Sequence, residues 1–182
     1  TALVDYLVST AVTGSQMAAE VSIVTGRGKD SLYHTWALRW AEQHAGNLIE
    51  RISDTTRTKI RAAVAEWIES GSSTSSLRDA IRETGQFSLA RAKMIAITEG
   101  TYAFTEGTFD LYENVGLAQR PAERPPAHPG CRCLVAVNEE AGQLNYIWIT
   151  VNDDNVCPIC EPKHLEVMGA AGSVGTRSIW NQ

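Results

Sequence analysis

Four cysteines are confined to residues 131–160 of this chain, in two close pairs, Cys131-Arg132-Cys133 and Cys157-Pro158-Ile159-Cys160. The 130 residues before them contain none. That placement constrains the fold more than any other feature. A small secreted domain held by disulfides spreads its bridges through the chain, whereas two tight pairs are the pattern of a metal site in a reducing compartment. The chain is therefore read as made in a cytosol. The 23 residues between the pairs are room for two strands that fold back on each other and bring the pairs together. Zinc takes four sulfur or nitrogen ligands in a tetrahedron, and Cys131, Cys133, Cys157 and Cys160 would fill it, leaving no open position for water or substrate. His128 is a fifth candidate, either replacing one cysteine or ordering the proline-rich loop from behind the ligands. The competing reading is four ordinary thiols in a small β unit. So small a unit has little core, however, and a structural metal would stabilise it.

The surroundings of the cysteines are read in the same way. Pro121, Pro125, Pro126 and Pro129 exclude a continuous helix over 119–130. Leu134 to Val137 and Tyr146 to Val151 are rich in β-branched and aromatic residues, and a polar segment with Gly142 joins them as a hairpin. Met168 to Gln182, rich in glycine and small residues, reads as an extended or mobile tail.

Residues 1 to about 116 read as helices almost throughout. Ala2 to Val24 is an apolar, small-residue stretch closed by Gly26-Arg27-Gly28. Asp30 or Ser31 caps a helix carrying Leu32, Trp36 and Trp40, then Leu48, Ile49 and Ile52. Asp54 restarts a helix with Ile60, Val64, Trp67 and Ile68 on one face, ended by Gly71. Ser72 to Ser76 reads as a loop, with Ser76 and Asp79 as a capping box for a short helix ending near Gly85. The longest element starts near Ser88. Its seam is Met94, Ile97, Thr101, Phe104, Thr108, Leu111 and Val115, and Gly116 terminates it. The seam and the spaced tryptophans read as core. The expected fold is thus mainly α: a helical bundle over 1–117 ending in a long helix, a zinc-held β-hairpin module over 118–167, and a tail over 168–182.

Charge narrows the partners. The net charge is −5, shared between 11 basic and 14 acidic groups in residues 1–117 and 5 and 7 in residues 118–182. A protein that grips a duplex along its phosphates would show a basic face in such a count, so at most local DNA contact is expected. No apolar run approaches the ~18 residues of a membrane-spanning helix, and no membrane partner is expected.

Three short strings point elsewhere. His164-Leu165-Glu166 matches the His-x-Glu of nucleobase deaminases, but it follows the cysteine pair where deaminases place it well upstream. Cys157, Cys160 and His164 resemble a treble-clef nuclease site, although Asp153-Asp154 beside them would repel phosphate. Ser73-Thr74-Ser75 resembles the Ser-Thr-Ser of ADP-ribosyltransferases, yet it sits between helices with no Glu-x-Glu after it.

Two segments together resemble the phage Mu protein F-like, or minor head protein, family. One is Arg91-Ala92-Lys93-Met94-Ile95-Ala96-Ile97-Thr98-Glu99, similar to that family's helical Arg-Ala-x-x-Ile-Ala-x-Thr-Glu. The other is Pro125-Pro126-Ala127-His128-Pro129-Gly130-Cys131-Arg132-Cys133, with Trp148-Ile149-Thr150 and Asp153 to Cys160. The likeness covers roughly residues 36–167. The chain departs from the family in order: there the tryptophan and Cys-x-x-Cys stretch comes first and the His-Pro-x-Cys-Arg-Cys stretch closes the domain, and here they are reversed. A metal site needs only convergence in space, so the reversed order can build the same module.

The resemblance implies a minor component of a bacteriophage head, assembling with portal or capsid protein in the host cytoplasm and ending in the virion. Arg91, Thr98 and Glu99 then read as a structural motif that clamps neighbouring elements, including the loop bearing His128. No nucleophile, base and oxyanion donor can be assembled around them. As a charged clamp, Glu99 should weaken folding or assembly when replaced by glutamine. The expected function is structural rather than enzymatic. The alternative is a zinc-dependent nucleic-acid enzyme, deaminase-like or nuclease-like, which would keep three protein ligands and a water.

Overall fold

The computed structural model describes residues 32–84, 87–114, 116–117, 120–151 and 156–173. Among these the chain is mixed α+β, with four helices and one three-stranded antiparallel sheet. The stretch Ala2 to Val24 and residues 174–182 of the expected tail lie outside the described residues.

Helix α1 spans Leu32–His44. It stops before Leu48, Ile49 and Ile52, correcting the longer helix expected there. Gly46 takes φ +80, a left-handed conformation that glycine adopts without strain and that a continuing helix cannot contain. Helix α2, Asp54–Ser70, is capped by the Ser53 hydroxyl accepting from the Thr56 amide at 3.2 Å, and it ends on left-handed Gly71. Its buried residues Thr56, Ile60, Val64 and Ile68 form one stripe at helical spacing.

Helix α3, Thr74–Glu83, is capped by Ser73 rather than Ser76, so the helix begins inside the expected loop. Ser73-Thr74-Ser75 is therefore a helix start, the Ser73 oxygen accepting from the Ser76 amide at 3.2 Å.

Helix α4, Leu89–Asn114, is the 26-residue spine of the molecule. Its N-terminal half buries Ala92, Ile95, Ala96, Gly100 and Ala103 against the other helices, while Met94 is 49% exposed. The expected seam is rotated there, because the residues that allow close helix packing are small rather than large. Gly107 shows why. A Cβ on it would lie 2.6 Å from the backbone nitrogen of Ala37, so α1 crosses α4 with nearly bare backbones in contact. The C-terminal half of α4 turns to the sheet: Phe109, Leu111 and Tyr112 cluster with residues from all three strands.

The strands are β1 Leu134–Glu140, β2 Gln143–Ile149 and β3 Val167–Ser173, in the order β1-β2-β3. The β1–β2 hairpin turns at Ala141-Gly142, both at positive φ, as a two-residue loop that matches strand twist requires. Strand β3 takes the place of the tail expected from Met168. It pairs with β2 from Gln143↔Ser173 to Ile147↔Val167, with two register shifts, and makes β2 a central strand. Phe109 packs edge-on against Tyr146 at 5.3 Å between ring centroids, joining α4 to the middle of the sheet.

The segment between α4 and β1 is pinned along that helix. Arg120 donates to Glu106 at 2.6 Å, Asp110 at 2.7 Å and Glu113 at 2.8 Å, and Arg124 donates to Glu106 at 2.9 Å. Glu106 is 8% exposed, so this carboxylate is matched by two guanidinium groups rather than by water. No described helix is long and apolar enough to cross a membrane.

Candidate metal centre

The hairpin register decides where the cysteines meet. Leu134 lies opposite Ile149, so the chain entering β1 and the chain leaving β2 are at the same end of the sheet. Cys131 and Cys133 arrive on the first and Cys157 and Cys160 follow the second. Each pair sits on a tight backbone turn. The Cys131 amide donates to the His128 carbonyl at 3.1 Å across Gly130, which takes φ +78. The amides of Cys160 and Glu161 both donate to the Cys157 carbonyl, at 3.0 and 2.9 Å, forming a knuckle that runs into a short 3-10 turn at Glu161–Lys163. From there the chain returns to β2, where Leu165 and Glu166 exchange backbone hydrogen bonds with Trp148.

The side chains converge closely. His128, Cys131 and Cys160 place their ligand atoms within 4.8 Å of one another. The Cys131 and Cys160 sulfurs are 3.7 Å apart. His128 Nε2 lies 3.3 Å from the Cys160 sulfur and 2.8 Å from that of Cys157. Cys131, Cys133 and Cys160 are buried, while Cys157 is half-buried at the rim. His128 thus lies among the sulfurs and not behind them. Together these residues line a cavity of about 30 Å³.

The donor chemistry fits a metal ion. A tetrahedron with metal–sulfur bonds of about 2.3 Å has edges of about 3.8 Å, close to the observed sulfur–sulfur separation. His128 Nδ1 lies 2.9 Å from the Pro129 carbonyl, which can only accept, so Nδ1 carries a proton and in the neutral ring Nε2 is the nitrogen that could meet an ion among the sulfurs. Among the described residues the buried Trp148 indole N–H has no hydrogen-bonded partner. It faces Cys133, where it favours the thiolate. Ionisation of that sulfur under a metal ion would supply the acceptor the indole lacks.

Without an ion the thiols share their protons unevenly. Cys131 is lowered to about 5, first by its hydrogen bond with Cys133. Cys133 is pushed well up, first by that same bond and then by burial. Burial pushes Cys160 up to about 12. For Cys157 burial acts upward, but its hydrogen bonds with Cys160 and His128 outweigh it and the net shift is downward. The Pro129 carbonyl is the first cause that raises His128. Four sulfurs this close cannot all ionise alone, and a divalent cation is the charge that would let them. The cluster can hold a metal ion.

The helical motif falls into two parts. Thr98 Oγ accepts from the Gly130 amide at 2.8 Å, in the cysteine loop. Arg91 and Glu99 face the α1–α2 connection instead. Arg91 donates to the Glu50 carbonyl at 3.3 Å, and its guanidinium lies 5.0 Å from the centre of the Phe87 ring. Glu99, 3% exposed, accepts from the Gly46 amide at 2.8 Å. Burial raises its carboxyl above the ordinary range, opposed by the Gly46 hydrogen bond and then by Arg57. Its direct partner is the backbone amide of Gly46, and the charge of Arg57 acts on it more weakly.

His164 stands apart from the cluster: its Nδ1 lies 2.9 Å from the Thr150 hydroxyl and 3.3 Å from the Thr150 amide. Asp153-Asp154 lies outside the described residues. Two neighbours of the centre escaped the sequence reading. Thr101 was read only as part of the seam of the long helix, and Trp148 only as part of a strand and of a motif. Comparison with protein-family models, curated proteins and solved structures finds no match for this chain.

Proposed function

We propose that the chain is a structural minor head protein of a bacteriophage, of the Mu protein F-like kind, whose cysteine module is closed by a zinc ion. The observation that carries the metal part of this reading is the convergence of His128, Cys131 and Cys160, with Cys133 and Cys157 beside them, at one end of the sheet; the head-protein part rests on the sequence resemblance. Five soft or nitrogen donors line one small cavity, and four of them are enough to fill the shell of a zinc ion. A site with more protein donors than coordination positions serves folding rather than turnover, because no position stays open for a reacting group. The long Pro-Pro-x-His-Pro-x-Cys-Arg-Cys string and the Arg91 to Glu99 helix motif support the head-protein assignment. On this reading the protein assembles with portal or capsid protein in the host cytoplasm and is carried into the virion.

Co-expression with the portal and capsid proteins of the same phage tests the assignment. Native mass spectrometry is expected to find the chain in a complex with one of them, carrying one zinc per copy. A chain that stays alone in the presence of both, or that enters the complex without metal, contradicts it.

A further inference from the structure

Helix α4 reaches the cysteine loop at two points. Thr98 donates its hydroxyl proton to the Met94 carbonyl one turn back, at 2.7 Å, so only its lone pairs face outward. One of them takes the Gly130 amide at 2.8 Å. Three residues on, on the same face of the helix, Thr101 donates to the Cys131 carbonyl at 2.8 Å, in a buried bond. The two hydroxyls therefore hold an N–H and a C=O that bracket the Gly130–Cys131 peptide, within the turn that joins two candidate ligands, His128 and Cys131. Each bond fits its hydroxyl's role. Thr98 is bound to accept because its proton is already placed, and Thr101 meets a carbonyl that can only accept.

We propose that Thr98 and Thr101 are positioning residues of the metal centre, setting the orientation of the His128–Cys131 loop from a helix whose own place is fixed elsewhere. The inference rests on the reading of the cluster as a metal site. Apart from its own internal bonds, the Cys131 amide to the His128 carbonyl and His128 Nδ1 to the Pro129 carbonyl, the loop has little else to fix it. Pro129 has no amide proton, Gly130 adopts φ +78, and neither carries a side chain that reaches the core. A ligand loop that is free to rotate loses affinity, because the ion must order it on binding. Groups that hold ligands from outside commonly change metal affinity by roughly 10- to 100-fold.

Thr105, one turn further along α4, supplies the control. It is fully buried, yet its hydroxyl has no hydrogen-bond partner among the described residues, so Thr105→Val removes nothing the loop is seen to use. The experiment measures zinc affinity by chelator competition, and the cobalt(II) absorption spectrum, for the full chain and for Thr98→Val, Thr101→Val and Thr105→Val. Thr98→Val and Thr101→Val are expected to weaken zinc binding by roughly 10- to 100-fold and to shift the sulfur-to-cobalt bands. Thr98→Ser and Thr101→Ser should restore both, and Thr105→Val should match the parent. Thr98 is only half-buried, so its valine variant keeps the fold and decides the matter if Thr101→Val does not. Equal affinity and an unchanged spectrum in Thr98→Val overturn the inference, as does an equal loss in Thr105→Val. A parent chain that binds neither metal overturns the metal reading itself, a result distinct from both.

Discussion

The helical core and the cysteine end of the sheet are stabilised by different means. Around the first half of α4, Ile60, Val64 and Ile68 of α2 and Leu77 and Ile81 of α3 are buried in a contiguous apolar core with alanines of α1. At the far end of the sheet the core is Cys131, Cys133, Cys160 and Trp148, three thiols and one indole. Helices that bury a whole apolar stripe hold together by area removed from water. A three-stranded sheet of seven-residue strands has less to bury, and ligands take the place of missing hydrophobic surface. Further along α4, Phe109 and Tyr112 on Tyr146 join the helix to the middle of the sheet by apolar and aromatic contact.

Metal removal should produce the largest effect and separate the two parts most sharply. A structural zinc ion contributes on the order of 10 kcal/mol to the segment that binds it. Chelation is expected to speed hydrogen exchange by orders of magnitude in residues 128–133 and 156–173, while the amides of α2 and α3 keep their protection. Loss of protection in both at once would show a single cooperative core and abolish the contrast.

A second break aims at the helical side. Gly107→Ala pushes a Cβ into the Ala37 backbone, where no flexible side chain can yield. We expect a loss of about 3 kcal/mol in chemical denaturation. A variant as stable as the parent would mean that α1 and α4 do not cross as closely as the structure has them.

Glu99 sharpens the comparison from inside. Glu99→Ala leaves the buried Gly46 amide without an acceptor and should cost about 2 kcal/mol. Glu99→Gln keeps a carbonyl for that amide and should stay within about 1 kcal/mol of the parent at neutral pH. The pH dependence has a definite sign. Burial raises the folded-state pKa of Glu99 above its ordinary value of 4.5, so its contribution is fully present below that value and is lost as pH rises through the raised one. Thermal denaturation of the parent across this window should therefore show a decline that Glu99→Gln lacks. The same slope in both would exclude Glu99 as its source.

The smallest expected effect is local. Ser53→Ala removes the cap of α2 and should cost about 1 kcal/mol in denaturation, leaving zinc affinity unchanged. A measurable loss of affinity would show that the helical part reaches the centre by a route other than Thr98 and Thr101.

What could be read in the sequence follows the same division. Helix α2 was legible because Ile60, Val64 and Ile68 are large apolar residues at helical spacing, and Gly71 marks its end. The seam of α4 was misread at Met94 and Ile97 because its tightest contacts are made by Ala92, Ala96, Gly100 and Gly107, which carry almost no hydrophobic signal. Strand β3 left no local pattern. Met168-Gly169-Ala170-Ala171-Gly172 has neither alternation nor β-branching, and it is a strand because β2 offers it a free edge. The cysteine pairs announced their own convergence through spacing. Which of the two places offered for His128 it takes was not legible, because that depends on the turn at Gly130 and on the Pro129 carbonyl that accepts from Nδ1–H.

X-ray absorption at the zinc edge, on protein purified without chelator, tests the central claim most directly. One zinc per chain is expected, in a four-coordinate shell made wholly of protein donors. At least three should be sulfurs at about 2.3 Å, with any remaining position filled by an imidazole nitrogen at about 2.0 Å. A chain that contains no zinc, or a shell in which water occupies one position, would contradict it.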